Sequence, residues 1–413
     1  MKQTKTYPWV VVGLLWVVAL LNYMDRQMLS TMKPAMQIDI SELQSAANFG
    51  YLMAVFLWIY GLMSPLSGII ADRVNRKWLI VASLFVWSAV TFLMGYATTF
   101  SQIYWLRALM GISEALYIPA GLSLIADFHS SKTRSLAVGI HMTGLYMGQA
   151  LGGFGATIAA KYSWQSTFHS FGIVGIIYAM ILVFFLRERK HKDLADSTDQ
   201  MPVRINGSLF KGLAVLFSNI SFWIILFYFA VPSLPGWAAK NWLPTLFAQN
   251  LNIPMATAGP LSTITIAASS FIGVIIGGVL SDKWVQKNIK GRIYTSAIGL
   301  SLTIPSLLLL GFGHSLFHVV GAAVCFGLGY GMFDANNMPI LCQFVSARYR
   351  ATAYGLMNMI GVFFGAFITD LLGKSSDAGS LGSDFAMLAG IVVLALVVQL
   401  YFLTPKQNDF VDA

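Results

Sequence analysis

Asp25 and Arg26 stand side by side in LNYMDRQM, residues 21–28, inside an otherwise apolar run. A second run carries Arg107 and Glu114, and two more carry Lys240 and Asp334. A charge near a bilayer centre costs ~2.5–3.5 kcal/mol on insertion scales, so intramembrane charges mark ion paths or ligand sites. The chemistry these types offer is proton exchange at a carboxylate and capture of an anion by the planar guanidinium fork. No nucleophile–base–orienter set and no phosphate-cradling Gly-rich loop with Lys is legible, which argues against an enzyme. Cys325 and Cys342, the two cysteines, lack metal-ligand or disulfide-framework spacing. No metal and no cofactor is expected.

Those charges need elements that carry them through lipid. Of the 413 residues, 57% are hydrophobic and 10% charged, against about 25% charged in soluble chains. Apolar runs of about 20 residues predict twelve spans: 9–33, 47–71, 77–98, 101–126, 135–160, 166–186, 219–248, 258–281, 292–313, 316–344, 351–373 and 384–404. The fold class is therefore an all-α membrane protein. Lys2 and Lys5 before the first run mimic a secretion signal. The run's length, its charge pair and the missing small-x-small site predict a retained span instead. The polar stretch from 187 divides the spans six and six. This gives an N-terminal bundle over 1–186, a cytoplasmic linker over 187–218 and a C-terminal bundle over 219–413.

With both termini cytoplasmic, 20 Lys and Arg fall on the cytoplasmic side and three (Lys33, Lys161, Lys374) on the other. That bias sets the orientation. It also accounts for the +9 net charge without nucleic acid, because the basic residues sit in short clusters between spans.

The halves repeat. GIIADR at 68–73 is matched by GVLSDK at 278–283, and GISEALYIPA at 111–120 by GMFDANNMPI at 331–340. Gly111 then aligns with Gly331, Glu114 with Asp334 and Pro119 with Pro339, while Arg134 aligns with Arg350. Parallel repeats of this kind mark transporters with a midplane substrate site.

GIIADRVNRK at 68–77 resembles the loop motif of the major facilitator superfamily. The resemblance implies two six-helix bundles of that fold and a gating role for Gly68, Asp72, Arg73, Arg76 and Asp127. In it, Gly68 lets helices approach and Arg76 pairs with Asp127. Asn75 replaces the usual Gly and is expected to enter a left-handed turn. The second copy, around Asp282, is degraded and predicts weaker gating. NYMDR and RALMGISEALYIPA are similar to the anion:cation symporter family, whose substrates include hexuronates and aldonates, and WLP at 242–244 and RATAYGLMNMIG at 350–361 fit it too. One departure is WQSTF at 164–168, where many members have Trp-Arg. The resemblance implies that Arg26 holds a substrate carboxylate and that Asp25 and Glu114 take up protons, with Arg107 as charge partner near Asp25. The loop and NYMDRQ also resemble spinster-like lipid transporters.

Helical rise places Asp25 roughly 12 Å below an outer surface at Lys33, Arg107 about 9 Å below one at Ser101, and Glu114 two turns deeper. Asp25 and Arg107 are thus expected to face each other, either as part of the site or as a static interhelical pair. Arg26 has no evident partner and reads as the anion site. Glu114 is either a proton carrier or a neutral acid bonded to a tyrosine. Lys240 is either a second cation for substrate or a residue snorkelling to the interface. Asp334, beside Asn336 and Asn337, balances Lys240 or accepts from sugar hydroxyls. Tyr23, Tyr51, Tyr117, His141, Tyr146, Gln149, Asn241, Trp242 and Asn358 are candidate walls, or ordinary packing. The expected protein is a monomeric, proton-gradient-driven symporter for a small anion such as a sugar acid, resident in the cell inner membrane. An organophosphate exchanger and a spinster-like lysolipid transporter are the alternatives.

Overall fold

A computed structural model describes residues 6–188, 209–346 and 349–405. The first half of the chain forms α1 (Tyr7–Met36), a short turn at Ser41–Gln44, α2 (Ala46–Arg73), α3 (Arg76–Met94), α4 (Phe100–Ala115), α5 (Tyr117–Phe128), α6 (Ser131–Gly152), α7 (Gly155–Lys161) and α8 (Trp164–Phe185). The second forms α9 (Leu209–Phe217), α10 (Ile220–Leu251), α11 (Met255–Val285), α12 (Gly291–Phe312), α13 (Leu316–Asp334), α14 (Asn337–Phe344), α15 (Arg350–Asp377) and α16 (Leu381–Phe402). No strand occurs among the described residues. The chain divides into two compact units, Met1–Pro202 with Met255–Pro260, and Val203–Pro254 with Leu261–Ala413.

Eleven segments among the described residues are long and apolar enough to cross a membrane. The remaining predicted span, 135–160, is α6 with α7, and it is the polar exception because it carries His141 and Gln149. Part of the expected linker is also helical: LFKGLAVLF folds as α9. Residues 189–208 of that linker lie outside the described residues.

Spans four and ten are each split, at Leu116 and at Ala335–Asn336. Pro119 and Pro339 each occupy the third position of the helix that follows. A proline has no N–H to give to the carbonyl four residues back, yet fits a helix's first turn. The break and restart are therefore written at matched positions, just after Glu114 in one half and Asp334 in the other.

Glycine sets how closely the spans approach. An added Cβ at Gly111 would lie 2.8 Å from the Phe56 carbonyl oxygen of α2, and one at Gly331 would lie 2.3 Å from that of Ser270 on α11. Gly144, Gly148 and Gly152 form an every-fourth-residue strip on α6, close against the backbone of α1 at Trp16, Leu20 and Met24. Small residues at that spacing let membrane helices pack backbone to backbone. This strip holds the helix that carries Asp25 and Arg26.

The loop motif is partly as expected. Arg76 pairs with Asp127, and Asp282 meets Arg292 at 3.6 Å in the second copy. Arg73 is exposed, and the side chain of Asp72 lies outside the described residues. Two expectations are corrected. A Cβ at Gly68 would touch nothing within 4 Å, so this glycine does not serve close packing within its unit. Asn75, at φ −57°, is not left-handed; it caps α3 by accepting from the Trp78 N–H. Glu188 adds a second cap, accepting from the backbone N–H of Arg76 and Lys77 at 3.3 and 2.8 Å. In the WQSTF stretch, Trp164 and Gln165 both donate to Asp39, at 2.7 and 2.8 Å.

Candidate polar site in the first unit

Asn22 and Arg26 are one turn apart on α1 and therefore share a face. Both reach Glu114 on α4. Arg26 Nε donates to Glu114 Oε2 at 2.6 Å and Asn22 Nδ2 to the same oxygen at 3.0 Å. The Glu114 side chain is fully buried and that of Arg26 is 12% exposed. The guanidinium sits among Tyr23, Phe56 and Tyr60, 5.2, 4.9 and 4.5 Å from their ring centres. These aromatic faces favour a cation electrostatically and shield it from water.

Asp25, about 100° round the helix from Arg26, points elsewhere. Its Oδ2 accepts from Thr91 Oγ1 of α3 at 2.8 Å. Arg107 places its guanidinium 4.6 Å over Phe56 and directs Nη1 to Met110 Sδ at 3.1 Å. Among the described residues no ion pair joins Asp25 to Arg107, although each lies within electrostatic reach of the other and of Glu114. The expected pairing is thereby corrected. Arg26 has a dedicated partner, and Glu114 is bonded to a guanidinium and an amide rather than to a tyrosine. The cause lies in the helix ends. α1 runs on to Met36, past the Lys33 taken as the surface, which lowers Arg26 toward the level of Glu114.

Four buried polar atoms here find no hydrogen-bond partner among the described residues: Arg26 Nη2, Arg107 Nε, Glu114 Oε1 and Asn22 Oδ1. Buried polar atoms are normally satisfied, and leaving one unmet costs about 1–3 kcal/mol. Two donors and two acceptors in one place form the polar outline of a small ligand or of ordered water.

Several predicted wall residues are structural instead. Tyr117 is fully buried; its hydroxyl donates to the Leu15 carbonyl at 2.8 Å and meets His141 Nε2 at 2.8 Å. A hydroxyl has one proton to give, so His141 must donate through Nε2, which ties α5 to α1 and α6. Tyr51 stacks on Tyr104, their hydroxyls 2.8 Å apart. Gln149 is buried and Tyr146 half-buried on α6.

In the second unit, Trp242 is fully buried and donates to the Thr369 carbonyl at 3.0 Å, while Asn241 Nδ2 reaches Thr369 Oγ1 at 2.7 Å. Both tie α10 to α15. Asn336 is buried and turns back to the Met332 carbonyl at 2.8 Å. Asp334 is solvent-exposed and accepts from Asn337 Nδ2 at 3.1 Å. Asn337 Oδ1 accepts in turn from the Tyr228 hydroxyl at 3.2 Å, itself 2.8 Å from Ser296. Lys240 holds its ammonium 4.6 Å over Trp237 and lies within electrostatic reach of Asp334. Asn358 is half-buried on α15.

Asn22, Phe56, Tyr60 and Thr91 complete the first-unit site and were not singled out in the sequence. Asn22 carried a usable signal, its one-turn spacing from Arg26.

Eleven membrane-length helices among the described residues, in two repeated halves with ionisable groups buried between helices, define a multi-pass membrane carrier. The chain belongs to the Major Facilitator Superfamily, which it matches over residues 15–369. It is 24% identical to a hexuronate transporter of Bacillus subtilis, covering 94% of each chain. It is also 24% identical to a sphingosine-1-phosphate transporter of Xenopus tropicalis, over 97% of this chain and 82% of that one. Among solved structures, a bacterial homologue of the human lysosomal transporter Spinster, in an inward-facing and occupied conformation, superposes with a TM-score of 0.81 at 20% identity, covering 98% of this chain and 99% of the other.

Proposed function

We propose that this transporter is a proton-coupled symporter of a small organic anion of the sugar-acid class, working by alternating access in the cell inner membrane. The observation that carries this reading is the buried Arg26–Glu114 pair with an open Nη2 on one side and an open Oε1 on the other. A substrate carboxylate and Glu114 compete for one guanidinium. Breaking a buried ion pair outright costs about 3–5 kcal/mol, more than a carboxylate ligand readily offsets. A proton placed on Glu114 releases Arg26 at lower cost and removes a negative charge that would repel the incoming anion. Proton and substrate then strengthen each other's binding, and linkage makes that reciprocal. Asp25, held by Thr91 and within reach of Arg107, serves as a second proton site. The similarity to a hexuronate transporter supports the sugar-acid class. The 20-to-3 bias of basic residues supports cytoplasmic termini.

The test is a binding panel on purified protein: hexuronates, aldonates, neutral sugars, sugar phosphates and lysolipids. Sugar acids should bind, with proton uptake from a weakly buffered solution on addition. Binding of neutral sugars with equal affinity would contradict the reading. Preferential binding of lysolipids would favour the second reading, a lipid transporter, which the likeness to the sphingosine-1-phosphate transporter supports.

A further inference from the structure

A cavity of about 250 Å³ in the second unit is walled by Leu216 of α9, Phe222 of α10 and Phe344 of α14, with Gln343, Ser346 and Arg350 on its polar side. That is far more than the about 30 Å³ share of one water. Arg350 closes the end of α14, with Nε donating to the Val345 carbonyl and Nη2 to that of Cys342, each at 3.1 Å. Among the described residues its Nη1 makes no hydrogen bond and no carboxylate lines the cavity. Gln343 is 4% exposed. Its Nε2 donates to the Ile289 carbonyl at 3.1 Å, and a carbonyl only accepts, so the amide orientation is fixed. Gln343 Oε1 is then a buried acceptor with no partner among the described residues. Among the described lining residues, a cation with no facing carboxylate and a side chain with an unmet acceptor match an anion that carries a hydrogen-bond donor close by.

The repeat sharpens this reading. In the first unit Arg134 Nη2 reaches the Ala126 carbonyl at 3.5 Å, in register with Arg350 and Cys342. There the end of α5 is covered by the first turn of α1: His129 Nε2 lies 3.2 Å from the Pro8 carbonyl oxygen, Trp9 packs on His129 and Tyr7 on Phe128. Phe128 and His129 align with Phe344 and Val345. The position that protein closes in one half is a cavity in the other.

We propose that this cavity binds a phosphate ester bearing a neighbouring hydroxyl or ammonium group, with Arg350 on the phosphate and Gln343 on the donor. That chemistry is shared by phospholipid headgroups and soluble phosphate esters. The apolar walls, and the cluster Lys283, Lys287, Lys290 and Arg292 at the same end of the spans, favour an inner-leaflet headgroup, since basic pockets between spans attract anionic lipid there.

The test quantifies lipid retained by the purified full-length protein after delipidation and readdition of phosphatidylglycerol or phosphatidylcholine, whose headgroup lacks a donor. Leu216→Trp fills the cavity without touching a polar contact, and Gln343→Leu removes the acceptor at the donor subsite. Wild type should retain phosphatidylglycerol at least tenfold more tightly than either variant, with phosphatidylcholine unchanged. A parallel arm measures thermal shift with glycerol 3-phosphate; stabilisation of wild type alone, without selective lipid retention, would support the site and assign it a soluble ligand. Equal retention of both lipids and equal thermal shifts in wild type and variants would overturn the proposal.

Discussion

Glu114 and Asp334 occupy the same place in the repeat, one residue group before a proline-enforced break, yet their surroundings are opposite. Glu114 is sealed and bonded to a guanidinium in an aromatic enclosure. Asp334 is less enclosed and is bonded to a neutral chain of Asn337, Tyr228 and Ser296. The helices behind them differ in the same sense. α6 lays a glycine strip against the α1 backbone, whereas Gly361 and Gly365 of α15 receive the rings of Phe229 and Trp237. One fold repeat has thus been specialised twice. The first half holds a stiff, high-stakes charge pair in direct contact, and the second an acid bonded to neutral partners with Lys240 within electrostatic reach. Deleting one member of a buried ion pair leaves an uncompensated charge, while a neutral hydrogen bond nets only about 1 kcal/mol.

The largest effect should follow Arg26→Ala. Stability should fall by about 3–5 kcal/mol, read as a lower melting temperature in detergent, and anion binding should vanish. Combining it with Glu114→Gln should recover most of the stability and none of the binding. If the single variant melts like wild type, the first half is not the high-stakes side. Arg26→Lys should also bind poorly, because a point charge does not reproduce the fork.

Next come the glycines. Gly148→Ala sets a Cβ 2.2 Å from the Leu20 carbonyl oxygen, which is backbone, whereas Gly365→Ala meets the Trp237 ring at 2.4 Å. Overpacking costs typically about 1–3 kcal/mol, and a side chain yields more readily than a backbone. Gly148→Ala should therefore lose more folded yield and more thermal stability than Gly365→Ala. The reverse order would erase the contrast between the two helix pairs.

Smaller again is Asp334→Asn, which keeps a hydrogen bond to Asn337 after amide rotation. Melting should be unchanged and anion affinity should move less than about tenfold, the equivalent of 1.4 kcal/mol. The smallest effect belongs to Lys240→Gln, which removes a cation–π contact worth roughly 0.5–1 kcal/mol. Binding titrations of both variants against wild type rank them.

The spans were legible because lipid demands apolar length. The match of Pro119 to Pro339 was legible too, but the breaks it marks in spans four and ten were not, since both runs stay apolar throughout. The Arg76–Asp127 pair followed from the loop motif. The partner of Arg26 did not. Depth counted along a helix depends on where the helix ends, and α1 outruns the charged residue that seemed to mark its limit. Tyr117, His141 and Trp242 were equally suited to a cavity wall or to a seam between helices, since each is a large apolar body with one polar atom. Only their partners distinguish the two. α9 is not legible in the sequence because nine residues are too few to read as a span.

The central claim is that Glu114 trades Arg26 for a proton when substrate binds. Glu114→Gln keeps the shape of the protonated acid and cannot change charge. Reconstituted into proteoliposomes, this variant should sustain substrate counterflow while losing accumulation driven by an imposed pH gradient. Accumulation at the wild-type level in that variant would contradict the claim and move the proton to Asp25 or Asp334.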